Sequence, residues 1–222
     1  GNLKFINYLK DRPIKMSEDE RDAGIRLADR VRDLLLKIHK SAPTSEMIEK
    51  AITHVDAANE SLEESFRLRW YEVDEKEIDD STKERLSVEA RDNSLFRGER
   101  NPLAPPIKVR IEKDETGQEV IVGELEVNRC REGPEGRVHG GFIAGLFDDV
   151  LSGAVRLAGG GPAVTGKLDI RYRKATPLDQ ELRFEARLEN STGRRIKAKA
   201  KCLANGVVTA EAEALFIRIR TD

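Results

Sequence analysis

The chain has 222 residues, enough for one large domain or an ordinary domain with an appendage. Lys and Arg total 39 against 41 Asp and Glu, so the basic excess of a nucleic-acid-binding protein is missing. No apolar run approaches the roughly 20 residues that span a bilayer, and two cysteines are too few for a disulfide framework. The expectation is a cytoplasmic protein with neither a nucleic-acid nor a membrane partner.

The first 95 residues read as helix. Ser17-Glu-Asp-Glu20 is a capping-box pattern in which Ser and Glu side chains each satisfy a free N–H of the first turn. Behind it Ile25, Ala28, Val31, Leu35 and Ile38 recur every three or four residues and share a face. Ala42-Pro43-Thr44-Ser45 breaks the pattern. A second amphipathic run carries Met47, Ile48, Ala51, Ile52, Val55, Leu62 and Phe66, and Ser81-Thr-Lys-Glu84 is expected to cap a third, shorter helix. Gly98 to Pro106 holds three prolines and reads as an extended connector.

From Ile107 the period becomes two. Ile107, Val109 and Ile111 alternate with charged residues, and a turn at Glu115-Thr-Gly117 leads into Val120–Val127. After one helical stretch, about Gly140 to Ala158, the alternation returns. Val164 to Tyr172, Leu182 to Leu188, Ile196 to Cys202 and Val208 to Ile219 mark three or four further strands, with Asn205-Gly206 as a hairpin turn. One helix embedded among antiparallel strands predicts an α+β fold in which the sheet wraps the helix. The expected domains are 1–95, a helical extension, and 96–222.

Val138-His-Gly-Gly141 opens the central helix. Glycines there admit close approach of a ligand, and the first N–H groups of a helix lack internal partners and lie at its positive end, a setting for an oxyanion or a polarised carbonyl. Counting about 100° per residue, Asp148 points away from the apolar side formed by Phe142, Ile143, Leu146, Phe147, Val150 and Leu151. Its neighbours Ala144, Gly145 and Ser152 are small, so a substrate would have room beside it. Periodicity alone favours reading Asp148 as a solvated surface residue, since most helix Asp residues are that.

The spacing His139-Gly-Gly…Asp148, followed by Pro162-Ala-Val-Thr165 and Leu168-Asp-Ile-Arg-Tyr172, closely resembles the phenylacetate-type (PaaI-like) branch of hotdog-fold thioesterases over roughly residues 100–220. The resemblance implies hydrolysis of an acyl-CoA thioester at a site shared between subunits, in a dimer or dimer of dimers, without a cofactor or metal. It makes Asp148 the nucleophile or the base that activates water, and Gly140, with Gly141, the source of the N–H that polarises the carbonyl. His139 becomes a positioning residue, Thr165 a hydroxyl contributed from the partner subunit, and Ser152 a hydroxyl seen in some members. Two departures stand out. Gly133 occupies a position where many relatives carry Asn or Gln, which keeps a non-catalytic acyl-CoA-binding protein as the alternative, and Asp149 competes with Asp148 for the acidic role. Neither a His-Phe-Pro-Gly-like nor an Asp-x-Asn-Pro-x-His segment, the marks of hotdog dehydratases and hydratases, occurs.

Other signals carry less. Gly161-Pro-Ala-Val-Thr-Gly-Lys167 fits the start of a phosphate-binding loop, but Leu168 stands where the magnesium-binding hydroxyl belongs. His39 and His54 lack partners at metal-ligand spacing, and Cys130 and Cys202 read as inert thiols. The basic run Arg194, Arg195, Lys197, Lys199 and Lys201 suits either coenzyme A phosphates or a solvated strand face. The helical extension is either an interaction module or a cover for the sheet or the dimer.

Overall fold

The computed structural model describes residues 17–62, 69–74, 76 and 78–219; Phe66 lies outside them. The chain forms two compact units. The first runs to Ser94 and takes in Gly98–Pro102, whereas Leu95–Arg97 belong to the second, which continues from Leu103.

In the first unit, α1 spans Glu18–Lys40, α2 Ser45–Glu60 and α3 Asp80–Asp92, with a short 3-10 turn at Trp70–Glu72. Ser17 caps α1, its hydroxyl accepting from the Glu20 N–H at 3.1 Å. The reciprocal half of the expected box is diverted: Glu20 accepts from the buried guanidinium of Arg85 at 2.7 Å, a charge-assisted bond stronger than one to a backbone amide. Thr44 caps α2. The cap of α3 is Asp79, which accepts from Thr82 N–H at 2.7 Å. Ser81, the expected cap, sits inside the first turn, because Asp79 presents a charged acceptor one step before the helix begins. Arginines tie α1 to the rest of this unit. Arg21 grips Asp92 with two bonds of 2.8 and 3.0 Å, and Arg32 donates to the carbonyls of Gly98, Glu99 and Asn101.

The second unit is a six-stranded sheet packed on a helix. β1 is Lys108–Lys113, β2 Glu119–Glu126, β3 Ala163–Tyr172, β4 Glu181–Thr192, β5 Arg195–Ala204 and β6 Val207–Arg218; α4 is Gly140–Leu151 and α5 Gly153–Ala158. The order is β1-β2-β4-β5-β6-β3 with every neighbour antiparallel. The late strands number four, and the Asn205-Gly206 turn forms with both residues at positive φ, 49° and 74°, as a two-residue hairpin requires. α4 packs against β2 through β6, so the sheet wraps it. Leu146, Phe147, Val150 and Leu151 are fully buried against the inward rows of the strands, such as Phe184, Ala198 and Cys202. The expected single helix from Gly140 to Ala158 is two. At Ser152 the hydroxyl donates to the Asp149 carbonyl at 2.6 Å and Val155 N–H pairs three residues back, which ends the regular ladder.

The outward face of the sheet is a lattice of charges. Arg183 donates to Glu112, Glu124 and Glu185 within 2.9 Å, and Arg110 joins Glu112 and Glu124. Bonds from Arg110 and Arg183 hold the Glu124 carboxyl at about 2; bonds from Thr116, the turn amides and Arg187 hold Asp114 at about 2. A depressed carboxyl contributes stability above its ordinary range near pH 4 and loses it as the pH falls toward 2. The second unit should therefore lose stability across that window. Thermal melts of Asp114→Asn/Glu124→Gln should show a shallower acid slope than the parent, and an unchanged slope would show that other groups govern acid unfolding.

Candidate active site

The chemistry-bearing residues gather along α4 and the edge strand β3. His139 is the N-cap of α4, and its Nδ1 accepts from the Gly141 N–H at 2.9 Å. Gly141 thus spends its amide on the cap. Gly140, the first residue of the helix, keeps an N–H without a hydrogen-bond partner among the described residues. Its carbonyl accepts from the Tyr172 hydroxyl at 2.7 Å, which ties the start of α4 to the end of β3.

Two turns on, Asp148 Oδ1 accepts from Thr165 Oγ1 at 2.7 Å. The pair forms within one chain, so this hydroxyl reaches the carboxylate without a partner subunit. The second oxygen, Oδ2, accepts no hydrogen bond among the described residues. The hydroxyl of Ser152 is engaged at the helix break and does not bond Asp148. Asp149 is committed elsewhere: Arg97 Nε donates to its carboxylate at 2.6 Å and Arg97 Nη2 to its carbonyl at 2.8 Å. Burial pushes the Asp149 carboxyl above its ordinary value, more than Arg97 holds it down, and the charge of Asp148 pushes the same way.

Gly145 does not leave room for a substrate. A Cβ built there would lie 2.2 Å from Cζ of Phe96, because that ring fills the space and packs against Phe142, 5.8 Å between centroids. The expectation failed because a gap beside a glycine is read from local sequence, whereas its occupant arrives from about 50 residues upstream. Tyr172, Phe96 and Arg97 went unrecognised. Tyr172 stood in the resembling strand segment without a role of its own, and no pattern in the sequence singled out Phe96 or Arg97. Gly133 packs its backbone on His139, a Cβ there falling 2.8 Å from the His139 Cα, so this loop has no space for the Asn or Gln of many relatives.

The lysines of β5 lie on the outward face, opposite α4. Lys199 pairs with Glu189 at 3.0 Å and Lys201 with Glu185 at 3.2 Å, as a solvated strand face would. Ile196, Ala198, Ala200 and Cys202 take the inward row, and burial raises the Cys202 thiol to about 11, which leaves it protonated at neutral pH. The phosphate-loop resemblance at Gly161–Lys167 runs into β3, not into a helix.

Residues 135–201 match the profile of the thioesterase superfamily, a stretch that contains His139, Gly140, Gly141, Asp148, Ser152 and Thr165. The second unit has the hotdog fold, and its segment 135–201 is similar to the thioesterase superfamily. Acyl-coenzyme A thioesterase THEM4 from Xenopus laevis is 33% identical to this chain over 91 residues, which is 40% of each protein. The chain thus aligns with about two fifths of that relative's length. The crystal structure of a thioesterase superfamily protein, 27% identical, covers 87% of this chain and 94% of its own with a TM-score of 0.68. That share exceeds the hotdog domain, so the likeness continues into the helical first unit. No helix among the described residues is long and apolar enough to cross a membrane.

Proposed function

We propose that the hotdog domain hydrolyses acyl-CoA thioesters, with Asp148 as general base or nucleophile and the Gly140 N–H as the oxyanion donor. The observation that carries this reading is the division of labour on α4: Asp148 is oriented by Thr165 and keeps an oxygen open, while Asp149 is bound by Arg97. As a base, Oδ2 takes a proton from water as the water oxygen bonds to the thioester carbon. The carbonyl oxygen becomes an oxyanion beside an N–H at the positive helix end, and collapse expels the thiolate, which takes the proton from Asp148. As a nucleophile, the carboxylate displaces the thiolate to form an anhydride; water then opens it, returning the Asp148 carboxylate, releasing the acid and giving a proton to the thiolate.

The spacing along α4 supports a site completed by a second copy. Gly140 and Asp148 are eight residues apart, about 12 Å along a helix, and one reacting carbon must lie within about 3–3.5 Å of its catalytic partners. The amide of one copy and the carboxylate of another meet that need. The edge strand β3, where Val164 and Tyr172 are about half exposed, offers an open row of backbone groups for such pairing. The alternative is a non-catalytic acyl-CoA-binding protein; the lack of any side chain at Gly133 favours it, since no amide there holds water or carbonyl.

A hydrolysis screen against short, medium, long and aromatic acyl-CoAs tests the reading, and a full panel without turnover, with acyl-CoA binding retained, would favour the alternative. Sedimentation should find a dimer or larger, and an active monomer at micromolar concentration would end the shared-site idea. Tyr172→Phe should keep the fold and lower turnover several-fold, the scale of one hydrogen bond of about 1 kcal/mol. Unchanged kcat would show that the phenol does not position the helix start.

A further inference from the structure

The first unit holds an amphipathic helix with no packing partner among the described residues. All sixteen residues of α2 are exposed, including Met47, Ile48, Ile52 and Val55. A lone helix of this length is marginal in water, and helices in proteins draw most of their stability from packing an apolar face. α1 has two apolar sides. One turns into its own unit around the buried Ala28; the other shows Leu27, Leu34 and Ile38 to solvent.

The charges along one border of each open stripe differ in sign. At about 100° per residue, one border of the α1 stripe carries Arg26, Arg30 and Lys37, with Asp19 at the helix start and Asp33 paired to Arg30 farther round; one border of the α2 stripe carries Glu49, Asp56 and Glu60, with Lys50 on the opposite side, all exposed. The stripes therefore match each other in apolar surface and in rim charge. Within the chain they do not meet. Four residues, Ser41 to Thr44, join the helices, and Ser41 and Thr44 both have extended backbone (φ −99°, ψ 156° and φ −70°, ψ 161°). The antiparallel hairpin that would cover both stripes is not made.

We propose that α1 and α2 exchange between two copies of this chain: the acidic-rimmed stripe of α2 docks on the basic-rimmed stripe of α1 of the second copy, and the reverse contact forms by two-fold symmetry. Such an interface is self-complementary, as a two-fold dimer requires, and its rim charges fix which helix pairs with which. It involves the first unit alone and stands whether or not the hotdog domain hydrolyses thioesters or pairs through β3.

The test uses full-length chains carrying Cys130→Ser, with Cys202 left in place because its buried thiol stays protonated. Two differently tagged chains are co-expressed, one with Leu34→Cys and one with Ile52→Cys, and treated with a short bismaleimide. The expected product is a covalent dimer of the two different chains. One chain carrying both substitutions should likewise cross-link between copies. Arg30→Glu/Lys37→Glu in the first chain should reduce the yield at least tenfold, and Glu49→Lys/Asp56→Lys in the second should restore it. Cross-linking confined within the doubly substituted chain would overturn the proposal in favour of an intrachain hairpin. No cross-link at Ile52, Ile48 or Val55 would overturn it in favour of a different occupant, and a yield insensitive to charge reversal would remove the pairing rule.

Discussion

Replacing Asp148 with Asn is expected to lower acyl-CoA hydrolysis by at least about a hundredfold, the scale of losing a positioned acid–base or nucleophilic group. Asn keeps the size of Asp and can still accept the Thr165 hydroxyl through its amide oxygen. It cannot take a proton from water or attack a carbonyl. Substrate binding should survive, since the Gly140 amide and the helix start are untouched. Three controls separate chemistry from scaffold. Asp149→Asn should cause a much smaller loss of turnover, since its amide oxygen can still accept from Arg97. Ser152→Ala should change turnover little, as its hydroxyl serves the break between α4 and α5. Thr165→Ala should fall between, since it frees Asp148 to rotate. Near-normal turnover in Asp148→Asn together with loss in Asp149→Asn would reverse the assignment of the two acids.

Gly145→Ala is expected to destabilise the hotdog domain by on the order of 1–2 kcal/mol: overpacking costs about 1–3 kcal/mol, and the better helix propensity of Ala returns up to about 1 kcal/mol. The new Cβ would lie 2.2 Å from the Phe96 ring. The ring cannot simply retreat. The Phe96 carbonyl accepts from Ile107 N–H at 2.8 Å, and the next residue, Arg97, is held on Asp149. Relief therefore means rotating Phe96 away from Phe142 or pulling Arg97 off its carboxylate. Denaturant unfolding measures the loss, and Phe96→Ala in the same chain should make the two substitutions strongly non-additive. A neutral or stabilising Gly145→Ala would show that Phe96 yields without cost.

The elements of the second unit were readable because the physics that forms them is local. Alternation in β3 to β6 and the apolar side of α4 report directly which side chains face inward, and Asn205-Gly206 carries its turn in its own backbone preferences. Where a long-range partner competes with a local one, sequence reading failed. Glu20 abandons the Ser17 box for Arg85, 65 residues away, and the space at Gly145 belongs to Phe96.

For the candidate site the same boundary holds. His139-Gly-Gly and Asp148 are a matter of sequence, since helix geometry alone sets their spacing and directions. The choice between Asp148 and Asp149 rested there on spacing and helix direction, and the tertiary structure supplies a physical separation by placing Thr165 on one carboxylate and Arg97 on the other. Likewise Gly140 and Gly141 look equivalent as residues and differ only once His139 takes one amide. Composition and period determine which faces of the chain are buried, because those depend on neighbours three or four residues off. Which amide stays open turns on the cap that His139 makes two residues away, whereas which acid stays open depends on groups brought in from distant segments, and no local pattern encodes their arrival.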